Sequence, residues 1–385
     1  MKSVHVRAPG GPEMLTIVEG PVPAPGPGEV LVRVAAAAVN RPDIQQRRGL
    51  YPPPPGASEV LGLDVAGVVE RVVPSPGPGE VLIRVAAAAV NRPDVQQRRG
   101  LYPPPPGVSV VLGLDVAGVI DRVAPDVDWP RPGEAVCALA NGGGYAEFCS
   151  VPAVQCMPVP TGFGFVAAAA LPEAFFTAWN SMVWLGRLDQ GETLLVQGGT
   201  SGVGMAAIQI ARTLRDARVL ATAGTEEKCR ICLETGAQAA INYRTSDWGA
   251  EVRRLTDGRG VDVVLDGQAG AYTERELALL KDDGRVVLLA SHLGATAEVN
   301  VRNIVRRRLT LTGATLRPRP PAYKGRIAAE LVAQVWPLLE DGRIRVHVCA
   351  TFPLAAVAEA HALMDANEQI GKVVLTVAED LCRPS

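Results

Sequence analysis

The sequence predicts an α/β protein in which a β-rich domain is joined to a doubly wound parallel sheet. Three observations carry this. Residues 192–211 read as a short apolar strand, a glycine-rich turn and a helix. Strand–helix units then follow in order, with strand-like runs at 193–196, 219–223, 239–243, 261–266, 286–290 and 309–315. Ahead of them lie short apolar runs punctuated by Pro-Gly turns.

Composition bounds the rest. A chain of 385 residues has room for two or three domains and a sizeable core. A hydrophobic content of 48% suits a globular protein, and a net charge of −2 offers no basic field to attract nucleic acid. Seven scattered cysteines, an odd number, suit reduced thiols better than a disulfide framework. The first residues have no apolar core of a signal peptide, and no uncharged apolar run reaches the roughly 18 residues of a membrane span. The expectation is a soluble, cytoplasmic protein that binds neither nucleic acid nor membrane.

In chain order, residues 4–7 and 14–19 are strand-like around Pro9-Gly10-Gly11-Pro12. Residues 22–72 then recur as 73–123, identical at 44 of 51 positions. Each copy holds two strand-like runs, 30–39 and 60–72 in the first, around a polyproline loop. Two nearly identical units are too few and too alike for a solenoid, so this is a tandem duplication inside an existing domain. Asn141-Gly142-Gly143-Gly144 precedes no helical pattern and reads as a turn, not a phosphate loop. Residues 146–151 are strand-like, and 167–185 are helical with a break at Pro172. Beyond the parallel sheet, 326–339 and 354–367 are helical, and 370–377 closes the chain as a strand.

The chemistry starts at the glycine-rich turn, where Gly202, Gly204 and Ala207 occupy G-x-G-x-x-G/A positions. The first glycine permits a tight turn, the second lets the backbone approach a pyrophosphate, and helix-start N–H groups face the anion. The same glycines fit a short-chain reductase pattern, but none of the six tyrosines has a lysine four residues on. The second strand ends at Ala223-Gly224, which carry no acid for a ribose 2′-hydroxyl. Lys228, one helical turn further, can meet a 2′-phosphate instead. The competing reading gives the 2′-hydroxyl to Glu226 and leaves Lys228 as a surface charge.

Several stretches now add up to a family resemblance: Pro-Gly-Gly-Pro-Glu (9–13), Val-Asn-Arg-Pro-Asp (90–94), Pro-Pro-Pro-Gly (104–107) and Leu-Gly-Leu-Asp (112–115). Leu-Pro-Glu-Ala (171–174), Ser-Gly-Val-Gly-Met-Ala-Ala-Ile-Gln (201–209), Ala-Ile-Asn-Tyr (240–243) and Ile-Gly-Lys-Val-Val-Leu (370–375) extend it. With these the chain resembles the medium-chain dehydrogenases/reductases. Within them it is similar to the zinc-independent quinone oxidoreductases, in the branch of the p53-inducible enzymes and zeta-crystallin. The resemblance covers nearly all of the chain except the surplus 51 residues. It implies a GroES-like catalytic domain (1–176), a Rossmann domain (177–316) and a return to the first domain (317–385).

The resemblance further implies NADPH as cofactor, a small quinone as substrate and a homodimer pairing Rossmann edge strands near 309–315. Gly199, Ser201, Gly202, Val203, Gly204, Gly224, Lys228, Tyr243 and Lys372 would bind the cofactor. Asn91, Asp94 and Tyr102, or their twins Asn40, Asp43 and Tyr51, would polarise the substrate carbonyl, with Thr177 facing the nicotinamide. The native set can be either copy, or the front of one with the back of the other; the second copy runs directly into the remaining domain, and Val110 in place of Glu59 suits a buried strand entry, which both favour the second. Where zinc-dependent relatives place metal ligands, this chain has Val90-Asn91-Arg92 and Leu112-Gly113-Leu114-Asp115, so no metal is expected. Cys229-x-x-Cys232 has no second pair. No general acid is evident, which leaves water to protonate a reduced quinone. The rival functions are an enone or enoyl reductase, for which Arg306-Arg307-Arg308 is the one dense basic run, and a non-catalytic NADPH-binding protein of crystallin type.

Overall fold

The computed structural model describes all residues except 23–30, 55–57, 59, 71–74 and 383–385. The chain divides into two compact units, Met1–Val73 and Pro74–Ser385.

In the first unit, β1 (Lys2–Val6) and β2 (Leu15–Glu19) form an antiparallel hairpin. The first repeat copy supplies β3 (Leu31–Ala38), α1 (Arg41–Arg47) and β4 (Asp64–Glu70), with β3 and β4 paired with each other as a two-stranded sheet among the described residues. Glu59, one half of the comparison with Val110, lies outside the described residues.

The second copy opens the second unit with β5 (Glu80–Val90), α2 (Arg92–Arg98) and β6 (Asp115–Val123). Then come β7 (Ala135–Leu139), β8 (Phe148–Pro152), β9 (Cys156–Pro158), α3 (Phe165–Ala169) and α4 (Pro172–Trp179), which runs on into a π-helical segment at Asn180–Leu185. The break between α3 and α4 falls at Pro172, which takes the first position of α4, where its missing N–H costs no hydrogen bond.

The parallel sheet is built from β10 (Thr193–Val196), α5 (Gly202–Arg215), β11 (Arg218–Ala223), α6 (Glu226–Thr235), β12 (Ala239–Asn242), α7 (Trp248–Leu255), β13 (Val261–Asp266), α8 (Ala271–Leu279), β14 (Leu280–Leu288), α9 (Val301–Arg307) and β15 (Thr310–Gly313). Its strand order is β12-β11-β10-β13-β14-β15 with every pairing parallel. That is the doubly wound order, and its switch point lies between β10 and β13, where the glycine-rich turn leaves the sheet. The expected six strands are observed. The chain returns through α10 (Pro321–Gln334), α11 (Trp336–Glu340), β16 (Val348–Pro353), α12 (Val357–Ala366), β17 (Lys372–Thr376) and α13 (Glu379–Cys382).

The last strands complete the β-rich sheet, ordered β16-β17-β5-β6-β7-β9 with β8 also on β5. β5 feeds two cores, its odd-numbered residues changing face at the irregularity after Val85. Ala87 and Ala89 face α3 and α4, whose alanines allow close approach, while Val81, Ile83 and Val85 fill the sheet's other side. The two copies therefore have the same local structure and different surroundings. Val32↔Val69, Arg33↔Val68, Val34↔Gly67 and Ala36↔Ala66 repeat as Ile83↔Ile120, Arg84↔Val119, Val85↔Gly118 and Ala87↔Ala117, with the same irregularity after Val34 and Val85. Yet Val34 and Val65 are 52% and 55% exposed where Val85 and Val116 are 0%. Burying each such valine is worth about 2 kcal/mol, so the second copy is the stabilised one. Val110 does not enter a buried strand; it is 78% exposed, in the loop ahead of β6. The placement of the second copy rests on β17, β8 and β7, not on that substitution.

Candidate active site

The nucleotide end begins where β10, wholly buried, runs into the turn 197–201. Ser201 caps α5 by accepting the Gly204 N–H at 2.9 Å. Gly204 needs its hydrogen: a Cβ there would lie 2.5 Å from the Gly198 carbonyl oxygen. Gly199 packs on Cys232, and the Val203 side chain borders the core. Beneath the turn, Gly198 N–H donates to Thr222 Oγ1 (3.2 Å), Thr222 donates to Gln197 Oε1 (2.7 Å) and Gln197 Nε2 donates to Glu276 Oε1 (2.9 Å). Burial, reinforced by the nearby Asp266 charge, raises the pKa of Glu276 well above the usual carboxylate range. Nothing in the sequence marked Glu276, which lies 79 positions from its partner.

At the end of β11, Gly224 lies under Tyr243, whose hydroxyl would be 2.6 Å from a Cβ at that position. Lys228 donates to the Asn367 carbonyl at 2.7 Å. Burial lowers its pKa, and the neighbouring Arg244 charge lowers it further. Two cations held together beside a glycine turn suit a phosphate. Arg244 was not anticipated, although a basic residue directly after Tyr243 is a signal that could have found it. Glu226, the rival for a ribose hydroxyl, accepts from Asn242 Nδ2 at 2.6 Å.

Lys372 joins this end to a buried polar cluster. Gly371 N–H donates to the Thr200 carbonyl at 2.8 Å, and the Lys372 stem lies over Gly202. The ammonium then donates to Asn91 Oδ1 at 2.5 Å and Asp115 Oδ2 at 2.8 Å. Asn91 caps α2, and its own Nδ2 donates to Asp115 Oδ2 at 2.9 Å. Asp94 accepts the N–H groups of Asn91 (2.8 Å) and Gly113 (2.9 Å), and burial raises its pKa to about 6. The Glu173 N–H donates to Asp115 Oδ1 at 2.5 Å, and the Thr177 hydroxyl lies 3.3 Å from Glu173 Oε1. As a residue Glu173 is only part-buried, but its carboxyl is enclosed; desolvation, opposed by Lys372 and reinforced by Asp115 and Asp94, raises its pKa to about 7.

Asn91, Asp94, Thr177 and Lys372 are thus brought together, with Asp115 and Glu173 added to them. Tyr102 lies beneath the Arg317 guanidinium, 5.5 Å from ring centre to carbon. Arg317 is 8% exposed and bonds Gln97 Oε1 and the Asn141 carbonyl, both at 2.8 Å. In the first copy, Asn40 Nδ2 donates to Asp64 at 3.0 Å, and Asp43 accepts from Asn40 (2.7 Å) and Gly62 (3.2 Å). The carboxamide–carboxylate arrangement is duplicated; the lysine bond is made to Asn91. Tyr51 is 52% exposed. Arg307 and Arg308 pair with Asp282 and Asp283, as expected of a solvated helix end. Among the described residues no group of three or more His, Cys, Asp or Glu could hold a metal ion, and no helix is long and apolar enough to cross a membrane.

Comparison with known proteins places this geometry. The alcohol dehydrogenase GroES-like domain matches residues 26–76 and 77–161, and the zinc-binding dehydrogenase domain matches residues 202–333. Human quinone oxidoreductase is 32% identical over 324 residues, which cover 83% of this chain and 94% of that protein. The chain belongs to the medium-chain dehydrogenase/reductase family. The human synaptic vesicle membrane protein VAT-1 homolog is 31% identical, covering 78% of this chain and 80% of its own length. Among solved structures, mycobacterial Rv1454c in complex with NADPH superposes with a TM-score of 0.71 at 27% identity, covering 98% of this chain and all of that one. The GroES-like and Rossmann parts expected from sequence are therefore those of an oxidoreductase of this family.

Proposed function

We propose that the protein is an NADPH-dependent quinone reductase that transfers hydride without a metal, using the second repeat copy. The observation that carries the reading is the Lys372 ammonium, fixed against Asn91 and Asp115 beside the glycine turn. When bound, NADPH supplies the hydride; the protein supplies position and charge. The α5 amides and the Gly204 cradle suit the pyrophosphate, and Lys228 and Arg244, with Tyr243, suit the 2′-phosphate. The NADPH complex of Rv1454c supports this cofactor.

A quinone gains negative charge on oxygen as it is reduced, and the Lys372 ammonium, held by Asn91 Oδ1 and Asp115 Oδ2, offers it a preorganised cation. Metal-free chemistry is supported by the donors themselves. Asp94 and Asp115 have both carboxylate oxygens committed to N–H or ammonium groups. The kinship with quinone oxidoreductases supports the substrate class, and the pairing of Arg307 and Arg308 with aspartates weighs against a phosphate-bearing thioester there. The reading keeps the division 1–176, 177–316 and 317–385. β15 ends the parallel sheet with Leu311 40% exposed, which supports a homodimer formed at that edge. Seven unpaired thiols support a reducing, cytoplasmic setting.

The test is oxidation of NADPH and of NADH by phenanthrenequinone, followed by the absorbance of the reduced nicotinamide. The reading expects turnover with NADPH and far less with NADH. Tight NADPH binding without oxidation by quinones or enones would contradict it.

A further inference from the structure

Three buried carboxyl groups share one ammonium in this site, and their donors are unequal. Asp115 accepts from Lys372, from Asn91 Nδ2 and from the Glu173 N–H. Asp94 accepts two backbone N–H groups. Glu173 has the Thr177 hydroxyl at 3.3 Å as the one hydrogen-bond contact of its carboxyl among the described residues. A buried carboxylate is tolerable in proportion to the donors and cations that surround it. By that measure Glu173 is the member that keeps a proton.

Resting on the quinone-reductase reading, we propose that Glu173 is the proton source of the reaction and Thr177 its relay. Hydride delivers two electrons and one hydrogen to the quinone. The substrate oxygen that gains the electron pair takes the Thr177 hydroxyl proton, while Thr177 Oγ1 takes the proton of the Glu173 carboxyl. One O–H bond forms on the substrate, one is exchanged on Thr177 and one breaks on Glu173, which is left as carboxylate. The two-electron balance is quinone, hydride and proton in, hydroquinone out. A proton from solvent, admitted when the product leaves, restores the Glu173 carboxyl. Lys372 limits the negative charge that this leaves, since its cation favours the ionised carboxyl while Asp115 and Asp94 oppose it. A proton donor that titrates near neutral pH suits both halves of the cycle.

The experiment compares wild type, Glu173→Gln and Thr177→Val in three readouts: steady-state quinone reduction against pH, the solvent deuterium isotope effect, and infrared difference spectra of the protein without substrate. General acid–base catalysis is worth roughly 100-fold or more, so kcat falls by about that factor in both variants while NADPH affinity holds. The wild-type rate declines as pH rises past about 7, and Glu173→Gln loses that limb and the isotope effect. The infrared spectra show a protonated carboxyl that persists to near-neutral pH and is absent from Glu173→Gln. If that variant does not fold, a shift of the same band in Thr177→Val identifies the group. Full activity with an unchanged pH profile in Glu173→Gln, or protonated-carboxyl bands near pH 6 that are the same in wild type and Glu173→Gln, overturns the proposal. A wild type that shows the band but reduces no quinone overturns the substrate reading and leaves Glu173 as the proton-holding group.

Discussion

Lys372 reaches back across 281 positions to hold its ammonium 2.5 Å from the Asn91 side-chain oxygen. Its 2.8 Å bond to Asp115, a side chain with no solvent exposure, makes it the cation of the cluster. Lys372→Met keeps the aliphatic stem over Gly202 and strands that carboxylate. Breaking one partner from a buried pair costs about 3 kcal/mol or more, so a lower melting temperature is expected together with a fall in kcat. Calorimetry and steady-state rates on the same preparation check both; a variant as stable and active as wild type would remove Lys372 from the account.

The two repeat copies provide an internal control. Hydrogen exchange should be much faster in β3 and β4 than in β5 and β6, although the strands are nearly identical in sequence and register. The reason is that a lone two-stranded sheet is marginal and the second pair is locked between β17, β8 and β7. Mass spectrometry of the corresponding peptides reads this directly, and equal protection would contradict it.

Lys228→Ala and Arg244→Ala should each weaken NADPH binding by roughly 10- to 100-fold, the worth of a charge-assisted hydrogen bond. NADH binding should change little, because it lacks the 2′-phosphate. Titration of both cofactors checks the difference; equal losses would mean that these cations serve the fold or the pyrophosphate.

Stability should depend on pH through Glu173. Its folded pKa of about 7 stands above its ordinary 4.5, so the native state holds this proton more tightly than the unfolded chain. The contribution is fully present below about pH 4.5 and is lost as pH rises through 7. Asp94, raised from 3.8 to about 6, acts in the same direction over a lower window. Glu173→Gln lacks the first dependence and should gain about 2 kcal/mol on wild type between pH 4.5 and 8, allowing for partial exposure. Urea unfolding across that range measures it.

Much of this was legible in the sequence, for identifiable reasons. The parallel sheet announces itself because each strand is a short apolar run next to its own helix. The glycine turn is a local motif, and local motifs survive reading one residue at a time. The choice between Asn40 and Asn91 is not local. Both sit in the same capping box, and what separates them is β17, nearly 300 residues further on. Val110 misled for the same reason, since its burial depends on where the loop lies. Asp115 and Glu173 stand inside the stretches 112–115 and 171–174, and Arg244 directly follows Tyr243, but their partners, like those of Arg317, become visible only when distant elements meet.

The central claim is tested most directly by NADPH oxidation with phenanthrenequinone in the full chain, in Asn91→Ala and in Asn40→Ala. The account predicts turnover in the full chain, a loss of at least about 10-fold in Asn91→Ala, because the Lys372 ammonium loses one of the two groups that hold it, and an unchanged rate in Asn40→Ala. Turnover that survives Asn91→Ala and falls with Asn40→Ala would contradict it, as would a full chain that binds NADPH and reduces nothing.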